Sequence, residues 1–278
     1  DGYAYDTWTN IYQCVQQANI VIDSEIADTT SEVDYYKGQA YALRALFQFD
    51  LMRLYSTMFV DGYDLGIPIL TEFDKAADQV APARQSLEET KQQIEDDFEK
   101  ALAMMDPQYD GPKTEMSVDA AKALYARYHL YVENYEQAME LSYDVIEEEP
   151  NYDYRLAAPD LYATQWQLDE TNESIFEMAF TSSDRLNTTA VGYMWDPDGY
   201  GDFSFTDDLL ELYEPDEARY PYTEDGSPMR YQDLNGNYNV RIIDYPEAIL
   251  NYVEAALELG DPNGDALDKL NQLATARG

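Results

Sequence analysis

Residues 117–150 read SVDAAKALYARYHLYVENYEQAMELSYDVIEEEP, and this stretch decides the fold. Ser117 is a helix-capping residue type, because its hydroxyl can accept a hydrogen bond from an otherwise unpaired first-turn N–H. Beyond it the chain reads as two antiparallel helices joined at Glu133 and Asn134. Ala126, Ala138 and Pro150 recur at intervals of twelve, with Tyr135 just inside the second helix. Small residues where two helices approach, and a proline near the end of a unit of about 34 residues, form the tetratricopeptide pattern. Lys122 and His129 depart from it, standing where a consensus repeat prefers an apolar residue. The expectation is a mostly α protein, an α/α superhelix of tetratricopeptide-like hairpins.

Upstream, Trp8, Ile11, Tyr12, Val15 and Ile22 share one helical face. The segment KGQAYALRALFQFDLMRLY (37–55) places Leu43, Leu46, Phe47, Leu51 and Leu54 on one stripe before Gly62, Gly66 and Pro68 interrupt it. A third helix starts at Ser86, with Glu89 three residues on as the second half of a capping box. It runs through Ile94, Phe98, Leu102 and Met105 to Asp106 and Pro107. Downstream, residues 151–242 are rich in Pro, Gly, Asn and Asp; SIFEMAF (174–180) reads as a strand and Asn235-Gly236 as a hairpin turn. Helical spacing returns in Ile249, Tyr252, Val253, Ala256 and Leu257. A turn at Gly260–Gly264 and a last helix with Leu267, Leu270 and Leu273 follow. The organisation expected is therefore a helical-repeat region (1–150), a loop-rich aromatic region (151–242) and a C-terminal hairpin (243–278) within one composite domain.

At 278 residues and 45% hydrophobic content the chain can bury a substantial core. Its 56 acidic against 17 basic residues give a net charge of −39, which repels phosphate backbones and argues against nucleic acid as a partner. The acids are interspersed with 26 Tyr, unlike a disordered acidic tail. Such self-repulsion is tolerable in strong salt, where at about 1 M the Debye length is roughly 3 Å, so a halophilic source is one expectation. Cys14, the single cysteine, sits within a helical pattern and reads as a small buried hydrophobe. No stretch approaches the roughly 18 apolar residues of a membrane-spanning helix, and the start at Asp1 shows no signal-peptide pattern.

Six segments, taken in order, resemble the SusD/RagB family of outer-membrane nutrient-binding lipoproteins. They are WTNIYQCVQQANIVID (8–23), the 37–55 helix with LGIPIL (65–70), AAKALYARYHLYVENYEQAMELSYDVI (120–146), NESIFEMAF (172–180), DDLLELYEPDEARY (207–220) and the closing YPEAILNYVEAALELGDPNGDALDKLNQLATARG (245–278). The resemblance implies a tetratricopeptide-like scaffold carrying a loop-rich region at the outer face of the outer membrane. It also implies a SusC-like TonB-dependent transporter as partner and binding of oligosaccharide or another nutrient without processing it. Family members usually begin with a lipidated cysteine and extra helical sequence, so the lipid anchor maps to no residue here. The end at Gly278 corresponds to the family's second-last hairpin. Binding residues vary between members, and none is carried over.

A glycan site needs flat aromatics for the C–H faces of sugar rings, with amides, carboxylates or Arg for the hydroxyls. TTAVGYMWDPDGYGDFSF (188–205) offers Tyr193, Trp195, Tyr200 and Phe203 among Gly and Asp, with Asn187, Asp196, Asp198 and Arg185 as polar partners. Trp166 and Tyr231 are further aromatic candidates. Calcium is the one cofactor the composition admits: DPDGYGD (196–202) and DPNGD (261–265) carry spaced oxygen ligands. The first lacks the glycine and glutamate of an EF-hand loop, and the second equally describes a turn between helices. No metal site is assigned.

No catalytic residue is assigned either. The only histidine, His129, rules out a His-cluster metal site, and the sequence has no G-x-S-x-G elbow, H-E-x-x-H, P-loop or G-x-G-x-x-G motif. Two alternatives stay open beside glycan capture: a peptide-binding tetratricopeptide scaffold, and a glycosidase, for which chance carboxylate pairs among so many acids carry no information.

Overall fold

A computed structural model of the chain describes residues 2–27, 29–73, 82–147, 152–214, 217–219 and 234–278. In chain order they form α1 (Gly2–Ile22), α2 (Ser31–Tyr55), α3 (Leu87–Met104), α4 (Val118–Tyr131), α5 (Tyr135–Ile146), β1 (Ser174–Met178), α6 (Val191–Trp195), α7 (Asp207–Leu210), β2 (Val240–Asp244), α8 (Tyr245–Glu258) and α9 (Ala266–Thr275).

The helix ends follow their caps. The Ser117 hydroxyl accepts from the Ala120 N–H at 3.1 Å and starts α4. Glu133, in the left-handed region at φ 62°, turns the chain, and Asn134 caps α5 through the Gln137 N–H. Pro150 lies outside the described residues. Ser86 and Glu89 form the full capping box of α3. Thr30, not anticipated, caps α2 through the Val33 N–H and lengthens that helix to 25 residues.

The chain divides into two compact units, Asp1–Asp110 with Met116–Tyr128, and Gly111–Glu115 with His129–Gly278. These units follow contacts in space, whereas the three segments expected from the sequence follow composition.

In the first unit α2 lies between α1 and α3. Its buried residues include Ala40, Ala42, Arg44, Ala45, Gln48, Phe49, Leu51 and Met52 and cover more than one face, so a single apolar stripe does not describe it. Leu54, expected on that stripe, is instead 60% exposed. Gly38 permits close approach: a Cβ there would meet Met105 Cγ at 2.5 Å and the Ala101 carbonyl at 3.1 Å. Val15, Leu51 and Ile67 form a core cluster on which Trp8, Ile11, Tyr12 and Phe47 pack. The part of α4 in this unit, up to Tyr128, packs on α2 and α3, where Tyr125 stacks on Phe98 at 4.8 Å and Tyr128 meets Phe49 edge-on at 5.4 Å.

In the second unit α5 packs on α8, which is capped by Asp244 and carries α9 beside it. SIFEM does form a strand, and Leu234–Asn235 lie in a turn whose preceding residues, 220–233, lie outside the described ones. β1 pairs antiparallel with the distant β2, Ser174 opposite Asp244 and Met178 opposite Val240. Charged groups hold this irregular region together. Buried Glu173 accepts from Arg277 Nη2, the Ala157 N–H and Gln165 Nε2, each at 2.7 Å. Arg241 donates to the Gln165 carbonyl and the Thr171 hydroxyl. Lys113 donates to the Thr171 carbonyl at 2.7 Å, and its burial lowers its pKa to about 8 against the opposing pull of Glu177 and Glu170. Polar groups this deep are tolerable only because each finds partners.

Candidate ligand-binding surface

The loop after α6 folds back on the helix it leaves. The Asp196 carboxylate accepts from the Asp198 N–H at 2.9 Å, an Asx turn that reverses the chain. The return strand is then fixed by Tyr200 N–H to the Tyr193 carbonyl at 2.8 Å and Asp202 N–H to the Met194 carbonyl at 2.9 Å. Gly199 makes the reversal possible, since a Cβ there would lie 2.3 Å from the Tyr193 carbonyl oxygen. Seven residues apart in sequence, Tyr193 and Tyr200 become an edge-to-face pair, centroids 4.8 Å apart at 80°.

The outcome is a pinned loop that presents rings outward. Tyr200 is 56% and Phe203 61% exposed. Trp195 is half-buried, and its indole N–H is buried with no partner among the described residues. Large exposed rings on an ordered backbone suit stacking, because little conformational freedom is lost on binding.

Arg185 and Asn187 form a second, adjoining polar group. The Arg185 guanidinium donates to Asn235 Oδ1 at 3.3 Å, and Asn187, left-handed at φ 51°, donates from its side chain to the Arg185 carbonyl and from its backbone to the Asn235 carbonyl. Both side chains, like Asp198, are exposed.

Trp166 corrects the expectation placed on it. It is 5% exposed, with the Arg241 guanidinium 4.2 Å above its ring and Tyr162 at its edge, so it packs in the unit's interior and offers no face to a ligand. Tyr231 lies outside the described residues. Three acids of the two calcium-like runs are engaged within their own turns or hairpin. Asp196 caps its loop, Asp261 accepts from the Gly264 and Ala266 N–H groups, and Asp265 accepts from the Tyr252 hydroxyl at 2.5 Å. Among the described residues no three His, Cys, Asp or Glu side chains converge where they could hold a metal ion.

One concave surface was not foreseen. A cleft of about 630 Å³ runs between residues 155–158 and 164–173, with Leu161 and Leu168 exposed at its edge and Gln165 buried at its base. It lies within the size range of small-molecule sites but presents no aromatic ring. Its only sequence signal is the pair of leucines amid polar residues.

Paired helices and a pinned, aromatic-bearing loop make up a helical-repeat scaffold. Comparisons with known proteins show what this scaffold resembles. Residues 1–130 match the SusD-like family model described as starch-binding and associating with the outer membrane. Among solved structures, a Bacteroides vulgatus protein assigned provisionally to sugar binding shares 28% identity at a TM-score of 0.80, over 96% of this chain and 64% of its own. A SusD superfamily protein from Bacteroides thetaiotaomicron gives 24% identity and TM-score 0.80, covering 97% and 66%. Surface glycan-binding protein A from Bacteroides uniformis gives 20% and 0.73, covering 98% and 66%. No curated protein matches.

Residues 1–130 thus resemble the SusD-like family, and the chain has the helical, tetratricopeptide-like fold of these solved structures; it spans just under two thirds of the length of the first two. Among the described residues no helix is long and apolar enough to cross a membrane.

Proposed function

We propose that this chain is a glycan-binding protein of the outer-membrane surface. It captures an oligosaccharide or similar nutrient without cleaving it and delivers it to a SusC-like TonB-dependent transporter, held at the outer face by a lipid anchor. The observation that carries the capture step is the exposure of Tyr200 and Phe203 on a loop whose backbone is fixed by its own hydrogen bonds. Asp198, Asn187 and Arg185 stand within the same segment as exposed partners for hydroxyls. The family description, starch-binding and associating with the outer membrane, supports both ligand class and location.

Calorimetric titration with maltohexaose, cellohexaose and mannohexaose tests the reading. Tyr200→Ala with Phe203→Ala should weaken binding of the preferred sugar at least tenfold, about 1.4 kcal/mol, at unchanged melting temperature. No reducing sugar should accumulate on long incubation. Unchanged affinity in the double variant removes the loop from the site, and sugar release turns the protein into a glycosidase.

A further inference from the structure

Within the first unit, α1 lines a cavity of about 490 Å³. Trp8, Tyr12 and Phe73 supply aromatic surface, and Gln13, Gln16 and Gln17 supply amides; the remaining described lining is Thr, Pro and Leu. The aromatic wall is rigid. Trp8 packs against Tyr12 at 4.8 Å and edge-on to Tyr55 at 4.9 Å, with the Arg84 guanidinium 5.8 Å from its ring centre. The Tyr12 hydroxyl is committed to the Pro68 carbonyl at 2.7 Å, which fixes its ring.

Two properties narrow what fits. First, a quarter of the chain's residues are charged and the net charge is −39, yet the described lining carries no charge at all. A charged ligand would meet no counter-charge among the described lining residues, and the nearby Arg84 guanidinium is committed to the Tyr55 and Gly66 carbonyls. Second, none of the three glutamine amides has a hydrogen-bond partner among the described residues. A purely apolar ligand would cover these donors and acceptors without satisfying them. A neutral ring with apolar faces and a hydroxyl edge satisfies both, since each amide can donate to one hydroxyl and accept from another.

We infer that this cavity is a second saccharide site, taking an uncharged hexose oligomer between the Trp8 and Tyr12 wall and the glutamines. It rests on the reading of the chain as a glycan-binding protein but uses a different set of residues from the loop. Binding at two sites on one chain raises retention of a long glycan through effective concentration.

The test is titration of the full chain with the three neutral hexasaccharides, with hexagalacturonate and with a proline-rich decapeptide. Gln13→Ala with Gln17→Ala, both at exposed positions, should leave melting unchanged and weaken neutral-sugar binding at least tenfold in the Tyr200→Ala, Phe203→Ala background. Hexagalacturonate should not occupy the cavity. Loss confined to the loop variant overturns the second site and leaves the loop reading standing; loss confined to the glutamine variant does the reverse. Peptide or hexagalacturonate binding abolished by the glutamine changes overturns the assignment to neutral sugar. Absence of binding by every neutral sugar overturns both sites.

Discussion

Arg44 of α2 and Asp97 of α3 face each other in a two-bond contact, Nε to Oδ2 at 2.8 Å and Nη2 to Oδ1 at 2.6 Å, with both side chains withdrawn from water. The same guanidinium donates to Asn19 Oδ1 of α1 at 2.7 Å and to the Thr71 carbonyl, so one charged group ties three helices and a loop. Desolvating two charges costs several kcal/mol, and the geometry offsets that cost only while both partners are present. Arg44→Met or Asp97→Leu alone should therefore cost about 3–5 kcal/mol in urea unfolding, and the double variant should recover much of it. A loss under about 1 kcal/mol for either single change, against the 3–5 expected for orphaning a buried charge, would mean water reaches this pair.

That contact also marks what the sequence does not display. Ser117, Glu133, Asn134, and the Ser86–Glu89 box act on groups within a few residues, so their consequences are readable from spacing, and the helices they start are where spacing puts them. Arg44 and Asp97 are 53 positions apart and Glu173 and Arg277 are 104 apart. Local pattern assigns such charges to solvent. Trp166 shows the same limit for aromatics, because its burial depends on Arg241, a residue of the distant β2. The Tyr193–Tyr200 pairing was half legible: the residues stood out, but the reversal that joins them follows from one close approach at Gly199. On α1 the glutamines look like an ordinary wet face until Phe73 closes the cavity beside them.

Gly199 should be the loop's most sensitive backbone position. A methyl 2.3 Å from the Tyr193 carbonyl oxygen cannot be accommodated without opening the turn. Gly199→Ala should separate Tyr200 from Tyr193 and reduce glycan affinity as much as losing the rings does. Global unfolding should change by no more than the roughly 1–3 kcal/mol typical of local overpacking. Loss of the Tyr193–Tyr200 ring contact in NMR spectra is the direct readout; a retained contact would show that the turn has room.

His129 supplies a pH dependence of known sign. Burial lowers its ring pKa from the ordinary 6.5 to about 4, so the folded protein keeps the ring neutral where the unfolded chain already binds a proton. Between pH 6.5 and 4 the unfolded state holds more protons, and stability falls as pH falls through that window, by up to about 3 kcal/mol from this group. Above pH 6.5 the ring adds no further dependence. As the only histidine, it gives a single set of ring resonances, which should stay flat from pH 8 down to about 5. Midpoint titration near 6.5 would contradict its burial. His129→Leu should flatten the corresponding part of the acid limb in melting experiments.

Salt should act on the molecule as a whole. A net charge of −39 on a folded chain sets up repulsion that the unfolded chain relieves by expanding. The Debye length falls from about 30 Å at 0.01 M to about 3 Å at 1 M, so most of this repulsion between exposed carboxylates disappears as salt is added. The buried Arg44–Asp97 pair is screened far less and keeps its contribution. Melting temperature should therefore rise by several degrees between 0.01 and about 0.3 M NaCl and then level off. A rise that continues linearly into molar salt would instead report exclusion of salt from the protein surface, an effect on apolar burial and not on charge. Comparison with sucrose separates the two, because sucrose strengthens burial without screening. If melting is unchanged across the whole range, self-repulsion does not limit this fold, and the acidity loses its interpretation as an adaptation to salt.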